Sequence, residues 1–254
     1  MSQSTTTSSP HPSGDKNSVL VSVKGYQMPI TFLNVQNMKA PYTPENVAEI
    51  TYDIVSGFNG VSKVRLNKFN ITINCWDAPQ DNALASVTTD RWDDYKTGVL
   101  QSVIMGVVFD GKINSMVEFG HELVHVAQFA SKRLRKPVTF KNNECVIKSA
   151  FAIDGKVVQK GITNDIGYAD RMWEWEAWGL QSDIACAIYG TLIGGVPFDI
   201  ISREEGQFEF QMAKLNQSLL SVPYIGWESF PVKVQFAFGD AKRTDSKTAL
   251  EWKY

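Results

Sequence analysis

The amino-acid sequence predicts a single α+β domain with a mixed or antiparallel sheet, and three observations support this. Short segments that alternate between apolar and polar residues indicate strands, and two of these segments flank an Asp-Gly turn. Separate, longer segments have helical periodicity, and a mixture of hairpins with separate helices favours the α+β class. No internal repeat or linker divides the chain after its first residues, so we predict one domain over residues 18–254.

The size and charge of the chain argue against several classes of protein. Its 254 residues are 43% hydrophobic and 20% charged, and the formal net charge is −2. A chain of this length buries roughly 70–75% of its unfolded surface, so a stable core does not need disulfides. The near-zero net charge argues against a nucleic-acid-binding protein with a broad basic surface and against an acidic disordered chain. We therefore expect a globular protein whose partners do not include nucleic acid.

The lack of a recognisable secretion signal and the pattern of the cysteines together predict a cellular compartment. Residues 1–17 are rich in Ser, Thr and Pro, which predicts a disordered N-terminal arm without the basic and apolar regions of a secretion signal. The longest apolar run, residues 184–198, contains glycine and proline and is shorter than the roughly 20 residues of a membrane span. Three cysteines without CxxC spacing indicate thiols in a reducing compartment. We expect a protein of the cytoplasm, or one otherwise intracellular, with no membrane span.

The first half of the chain predicts four strands and one helix. The helix has Thr43 as its N-cap and Pro44 at its first position, and it ends near Gly57. Two strand segments are short, and two are longer with clear alternation or a nearly continuous apolar run, the last of them followed by an Asp-Gly turn. The predicted strands are residues 19–23, 30–33, 64–75 and 99–109.

The second half of the chain predicts helices around one hairpin. Ser115 and Glu118 have the spacing of a capping box, which predicts a helix over residues 115–130, and the basic run 132–136 is interpreted as its solvated C-terminal cap. A hairpin follows around an Asp-Gly turn, and then a long helix. The predicted elements after the basic run are strands 145–151 and 156–160, helix 169–189, a glycine-rich break, helix 206–220 and strand 232–238.

The first of these helices contains the pattern His121-Glu122-Leu-Val-His125, which is an HExxH motif. Residues four apart lie on one face of a helix, so both imidazoles can point at one metal ion, and Glu122 can reach a metal-activated water as general base. Apolar residues surround the motif on nearly every side of the helix. Burial of these three polar side chains is costly unless they are paired or bind a metal, so the sequence predicts a metal site here.

A catalytic zinc ion needs a third protein ligand, and the sequence narrows the choice. The remaining histidine, His11, lies in the predicted arm, so the third ligand is expected to be a carboxylate or, less favoured, a cysteine. Glu174 and Glu176 on the second long helix are the candidates, and they point in different directions around that helix. We prefer Glu174, because the small Ala177 shares its face and allows a close approach to the HExxH helix.

The segment HELVHVAQ, followed about fifty residues later by EWEA, resembles the zinc metallopeptidases that combine HExxH with a glutamate, the gluzincin-like group. The ExxA spacing is similar to that of the CAAX prenyl endopeptidases and of the small peptidases that cleave phage repressors. The resemblance covers about residues 99–190, and one position differs, because Trp178 follows Ala177 where those families usually have Asp or Asn. It implies a zincin-like fold, one Zn²⁺ per chain held by His121, His125 and Glu174, and endopeptidase activity.

This resemblance and the motif together predict how the site works. Glu122 takes a proton from the water and passes it to the leaving amine of a peptide or protein substrate. Tyr168 and Arg171, about one turn before Glu174, are the nearest candidates for stabilising the oxyanion. The strand 99–109 is either an edge to which an extended peptide adds or an ordinary core strand.

Two other classes of function remain open from the sequence. The chain is alternatively a non-catalytic structural or assembly protein that keeps a zincin-like fold, with or without the metal. A zinc hydrolase that acts on a non-peptide amide is the third interpretation, because HExxH specifies the hydrolytic machinery better than the substrate. The sequence does not indicate an oligomeric state.

Overall fold

The computed structural model describes residues 18–58, 60–89, 98–141 and 144–193. It confirms an α+β fold with a mixed sheet. The predicted arm, the helix 206–220 and the strand 232–238 lie outside the described residues. The helices are α1 (Pro44–Gly57), α2 (Lys63–Leu66), α3 (Ile113–Ala130) and α4 (Met172–Leu192). The strands are β1 (Ser18–Val21), β2 (Ile30–Leu33), β3 (Asn70–Trp76), β4 (Ala85–Thr88), β5 (Ser102–Val108), β6 (Leu134–Arg135), β7 (Val138–Lys141), β8 (Glu144–Ile153) and β9 (Lys156–Ile162).

Five strands form the main sheet, in the order β1-β2-β3-β5-β4. The three central strands are parallel, and β1 and β4 pair antiparallel at the two ends of the sheet. Strand β5, which corresponds to the predicted strand 99–109, lies between β3 and β4 and is therefore a core strand. Among the described strands, β4 lies at the edge of the sheet beside β5, and the sequence did not predict this strand.

The sequence prediction is wrong for the beginning of the strand 64–75. The first part of that segment is the short helix α2, and β3 begins only at Asn70. The Ser62 side chain caps this helix by accepting from the backbone N–H of Arg65 at 3.1 Å. The Arg65 guanidinium then donates to the carbonyl oxygens of Ala130 and Leu100 at 3.2 and 2.6 Å. A local cap and two long-range hydrogen bonds therefore outweigh the alternating pattern.

Helix α3 begins two residues before the predicted start, and its N-terminus is not the predicted capping box. Lys112 is the N-cap and makes no side-chain capping bond. Asp110 takes that role, because one of its carboxylate oxygens accepts from the Lys112 N–H at 3.0 Å and from the Ser115 hydroxyl at 2.7 Å. From Ser115 to Ala130 every residue except Glu118 is buried, so the helix lies inside the protein as its apolar composition predicts.

The second sheet contains the predicted hairpin, in which β8 and β9 pair antiparallel around Asp154-Gly155. Both turn residues have positive φ, 48° and 77°, as a tight Asp-Gly hairpin turn requires. Helix α4 follows and packs along α3. Gly120 allows this contact, because a Cβ at that position would lie 3.0 Å from the backbone oxygen of Gln181. None of the described helices has the length and apolar character needed to span a membrane.

Candidate metal centre

The structure brings His121, His125 and Glu174 together between α3 and α4. The two histidines are one turn apart on α3, Glu174 lies in the first turn of α4, and all three side chains are buried. The Nε2 atoms of the two imidazoles are 3.1 Å apart. The Oε2 atom of Glu174 is 3.2 Å from each of them. The three candidate ligand atoms therefore form a nearly equilateral triangle.

The size of this triangle fits a small metal ion. Tetrahedral coordination at about 2.0–2.1 Å from nitrogen and oxygen ligands separates the ligand atoms by about 3.3 Å. His121, His125 and Glu174 would hold such an ion through these three atoms, and a three-ligand set would leave one coordination position for water or substrate. The group of His121, His125 and Glu174 can therefore hold a metal ion.

Gln128 determines which nitrogen of His125 faces the triangle. Its amide Nε2 donates to the carbonyl oxygen of Trp173 at 2.9 Å and to a carboxylate oxygen of Glu176 at 2.7 Å. Two acceptors on that side fix the orientation of the amide, so its Oε1 faces His125 Nδ1 at 2.9 Å. Nδ1 must then carry the proton, and Nε2 presents its lone pair to Glu174 and His121.

Gln181 makes the equivalent contact with His121. Its Oε1 lies 2.9 Å from His121 Nδ1, on the side of the imidazole opposite the triangle. Trp178 occupies the position where the resembling families usually have Asp or Asn, and here Gln181, three residues further along α4, supports the histidine instead. Both amides are groups of the kind that orient metal-ligating histidines.

Electrostatics favour a positive charge between His121, His125 and Glu174. Two imidazole lone pairs and one carboxylate oxygen converge in a buried site, which is unfavourable without a cation or a proton between them. Burial alone would lower the pKa of His121, but the hydrogen bond with Glu174 and the charge of Glu122 outweigh it and raise the pKa to about 9. Burial alone would raise the pKa of Glu174, but His125 and His121 hold it well below its usual range.

Glu176, the other candidate ligand, lies in a different network. Its Oε1 accepts from Arg133 Nη1 at 2.7 Å, and its Oε2 accepts from Gln128. Both charged side chains are almost buried. The structure thus places Glu176 behind the histidine that Gln128 orients, and it places only Glu174 against the two Nε2 atoms.

A cavity of about 240 Å³ opens beside the triangle. Glu122, which the sequence predicts to be the general base, contributes to its wall and is buried. The edge strand β4 forms part of another wall. The residues lining the cavity are Ala85, Ser86, Val87, Glu122, His125, Phe129, Leu134, Lys136, Tyr168, Trp173 and Glu174.

Of the two oxyanion candidates, the structure brings only Tyr168 to this cavity. The residue is more than half exposed, but desolvation of its hydroxyl and the nearby carboxylate of Glu174 raise the pKa of the phenol above its usual value. The Arg171 guanidinium stacks 5.3 Å from the Tyr168 ring centre. It donates to the carbonyl oxygens of Ile166 and Thr163, both at 3.3 Å, and it is not among the lining residues. Arg171 thus holds the chain that leads into α4.

Sequence reasoning missed three residues of this region. Gln128 had a usable signal, because it follows His125 by three positions and shares its helical face. Gln181 is seven residues, or two turns, after Glu174, and that spacing was also readable. The sequence carried no signal for Lys136. The interpretation of 132–136 as a solvated cap is wrong for Lys136 and Arg133, whose side chains both turn inward.

Comparisons of the chain with protein-family models, with curated proteins and with solved structures found no match. The resemblance to HExxH metallopeptidases therefore stays a prediction.

Proposed function

We propose that this protein is a zinc-dependent hydrolase that cleaves peptide bonds. The observation that carries the proposal is the convergence of two imidazole Nε2 atoms and one carboxylate oxygen, 3.1–3.2 Å apart, beside a cavity that Glu122 also lines. Two histidines and one glutamate form a ligand set typical of catalytic zinc, and nitrogen and oxygen donors in this number suit zinc better than calcium or magnesium.

The number of ligands favours a catalytic site over a structural one. Structural zinc sites use four protein ligands, whereas catalytic sites use three and keep one position for water or substrate. Among the side chains that the structure describes, no fourth His, Cys, Asp or Glu joins the group of His121, His125 and Glu174. The carboxylate of Glu122 lines the cavity without belonging to that group, as a general base needs to do.

Each side chain then has a distinct task. A bound zinc ion supplies Lewis-acid activation of water and of the scissile carbonyl. Glu122, which lines the cavity, accepts a proton from the attacking water and passes it to the leaving amine. Tyr168, which lines the cavity together with Glu174, is the side chain we assign to hydrogen-bond the developing oxyanion.

The edge strand β4 supports a peptide as the substrate. Ser86 and Val87 of β4 line the cavity, and among the described strands β4 pairs only with β5. An extended peptide can add to such an edge through backbone hydrogen bonds, which would carry its scissile bond past Glu122. A peptide is therefore the substrate class that the surroundings of the site favour.

The proposal is tested by zinc content and by cleavage in the same preparations. Protein purified without chelator should contain about one zinc ion per chain, as expected for a single three-ligand site. It should also cleave a mixture of quenched fluorescent peptides. Glu122→Gln should keep the zinc and lose at least roughly a hundredfold in cleavage rate. Glu49→Gln, which changes an exposed helical glutamate outside the cavity, is the matched control and should change neither.

Three outcomes contradict the proposal. Failure to bind zinc even after reconstitution would refute the metal site. Undiminished cleavage by Glu122→Gln would refute the role of the base. A zinc-loaded protein that cleaves no peptide in the mixture would instead support the non-catalytic assembly protein.

A further inference from the structure

Lys136 places a positive charge in the cavity beside the candidate metal centre. Its Nζ atom lies 5.3 Å from the centre of the Phe129 ring, which follows His125 by one turn on α3. It lines the same cavity as Glu122 and Glu174. The side chain is partly buried, so its stem covers apolar surface while its ammonium group reaches the cavity.

The backbone around Lys136 explains its inward direction. Leu134 is buried and Arg135 is exposed, so the alternation of an extended segment turns Lys136 to the same side as Leu134. The N–H of Lys136 donates to the carbonyl oxygen of Gly98 at 3.2 Å, which fixes the segment just after β6. The inward position is therefore built by the chain and does not depend on a flexible surface side chain.

The ammonium group has unused hydrogen-bonding capacity. Across the described part of the chain, the Phe129 ring is the contact found for Lys136 Nζ, and no hydrogen bond or salt bridge from it is found, although an ammonium can donate three hydrogen bonds. Burial lowers the pKa of Lys136, while the carboxylates of Glu174 and Glu122 favour its charged form. A partly buried cation whose donors are not taken by other side chains is positioned to bind an anionic group of a ligand beside the reaction site.

The charge balance of the loaded cavity points the same way. The carboxylates of Glu174 and Glu122 offset the charge of one divalent ion, and both imidazoles then serve as neutral ligands. Lys136 therefore leaves the loaded cavity with an excess positive charge. We propose that Lys136 forms an anion subsite beside the metal centre, which selects substrates that carry a carboxylate close to the scissile amide.

This inference rests on the proposed function, and its test separates the two. The probes are acetohydroxamate, which has no charged group besides the hydroxamate that binds zinc, and succinic monohydroxamate, which adds a carboxylate to the same metal-binding group. Both are titrated calorimetrically into zinc-loaded protein, so the readout is binding and not activity. Lys136→Met keeps the stem against Phe129 and removes the charge, and Lys132→Met removes an exposed charge outside the cavity as the matched control.

We expect succinic monohydroxamate to bind the native protein more tightly than acetohydroxamate does. Lys136→Met should weaken binding of succinic monohydroxamate about tenfold and leave binding of acetohydroxamate unchanged. The control Lys132→Met should change the binding of neither probe. Lys136→Arg keeps a cation and should retain most of the preference for succinic monohydroxamate. This variant separates the loss of the charge in Lys136→Met from a loss of structure. Equal loss of both probes, or no loss of either, would overturn the anion subsite. Failure of both probes to bind the native zinc-loaded protein would instead refute the metal centre.

A second arm distinguishes the two sources of the carboxylate. N-acetyl-trialanine with a free C-terminus, its C-terminal amide, and N-acetyl-Ala-Glu-Ala amide compete with acetohydroxamate for the zinc-loaded protein. Stronger competition by the free acid identifies a chain terminus, and stronger competition by the glutamyl peptide identifies an acidic side chain. Equal competition by all three peptides would overturn the subsite.

Discussion

Gln128→Met removes the group that orients His125 without changing the size or helix propensity of the residue. The native amide accepts from His125 Nδ1 at 2.9 Å and donates to the Trp173 carbonyl oxygen and to Glu176 at 2.9 and 2.7 Å. Methionine makes none of these bonds. His125 is then free to change tautomer and to rotate, so its Nε2 lone pair is no longer held toward the triangle.

The size of the effect follows from these contacts. Removal of an outer partner of a metal-ligating histidine typically weakens metal binding by about 10- to 100-fold, which corresponds to roughly 1.4–2.7 kcal/mol. The substitution also removes the side-chain donor of the Trp173 carbonyl oxygen, and it leaves Glu176 with its ion pair to Arg133 but without the amide hydrogen bond. Both acceptors lie in a buried region. Unfulfilled buried acceptors cost about 1–3 kcal/mol, so the free energy of unfolding should fall by that amount even without metal.

Zinc affinity is measured by competition with a chromophoric chelator, and stability by chemical denaturation with zinc removed. Asn46→Ala is the control, because the Asn46 amide also makes two hydrogen bonds, one accepted from Thr43 N–H and one donated to the Pro41 carbonyl, at the start of α1. We expect the control to lose stability with native zinc affinity. If Gln128→Met also keeps native affinity while losing stability, Gln128 does not orient the ligand and our reasoning is refuted.

Three further predictions concern proton balance, helix packing and the core. The pKa of His121 in the metal-free protein is raised to about 9, above the ordinary value of about 6.5, so metal-free protein should lose stability as the pH rises from about 6.5 to 9. In thermal unfolding, zinc-loaded protein should show no such loss of stability, because the ion takes the place of the proton. An equal dependence of stability on pH in the two forms would contradict this prediction. Gly120→Ala puts a Cβ 3.0 Å from the Gln181 backbone oxygen and should lower zinc affinity. The higher helix propensity of alanine, worth about 1 kcal/mol, should offset the loss of stability that this close contact causes. Unchanged zinc affinity in a chelator competition would show that the helices tolerate the methyl group. Thr51→Val removes a fully buried hydroxyl that has no hydrogen-bond partner among the described residues. It should raise the free energy of unfolding, measured in urea, by about 1 kcal/mol and leave zinc affinity unchanged. A lower free energy of unfolding would mean that the hydroxyl is hydrogen-bonded.

Local features of the molecule were predictable because their causes lie within a few residues of one another. Thr43 caps α1 through hydrogen bonds with its neighbour Asn46, and the β8–β9 turn needs only Asp154 and Gly155 with positive φ. His121 and His125 share a face of α3 because the spacing of four residues on a helix imposes it. The same kind of reasoning was wrong at α2, where Arg65 bonds to Ala130 and Leu100, which are distant in the sequence.

The sequence by itself determined the two halves of the candidate site, the HExxH helix and the glutamate-bearing helix, because periodicity and spacing act within each helix. Only the tertiary structure decided how the halves meet. The choice of Glu174 over Glu176, the support of His121 by Gln181 and the inward turn of Lys136 all depend on side chains from different elements. These contacts arise where α3, α4 and the strand after α3 are packed together, and no periodicity within one segment encodes the distance to another.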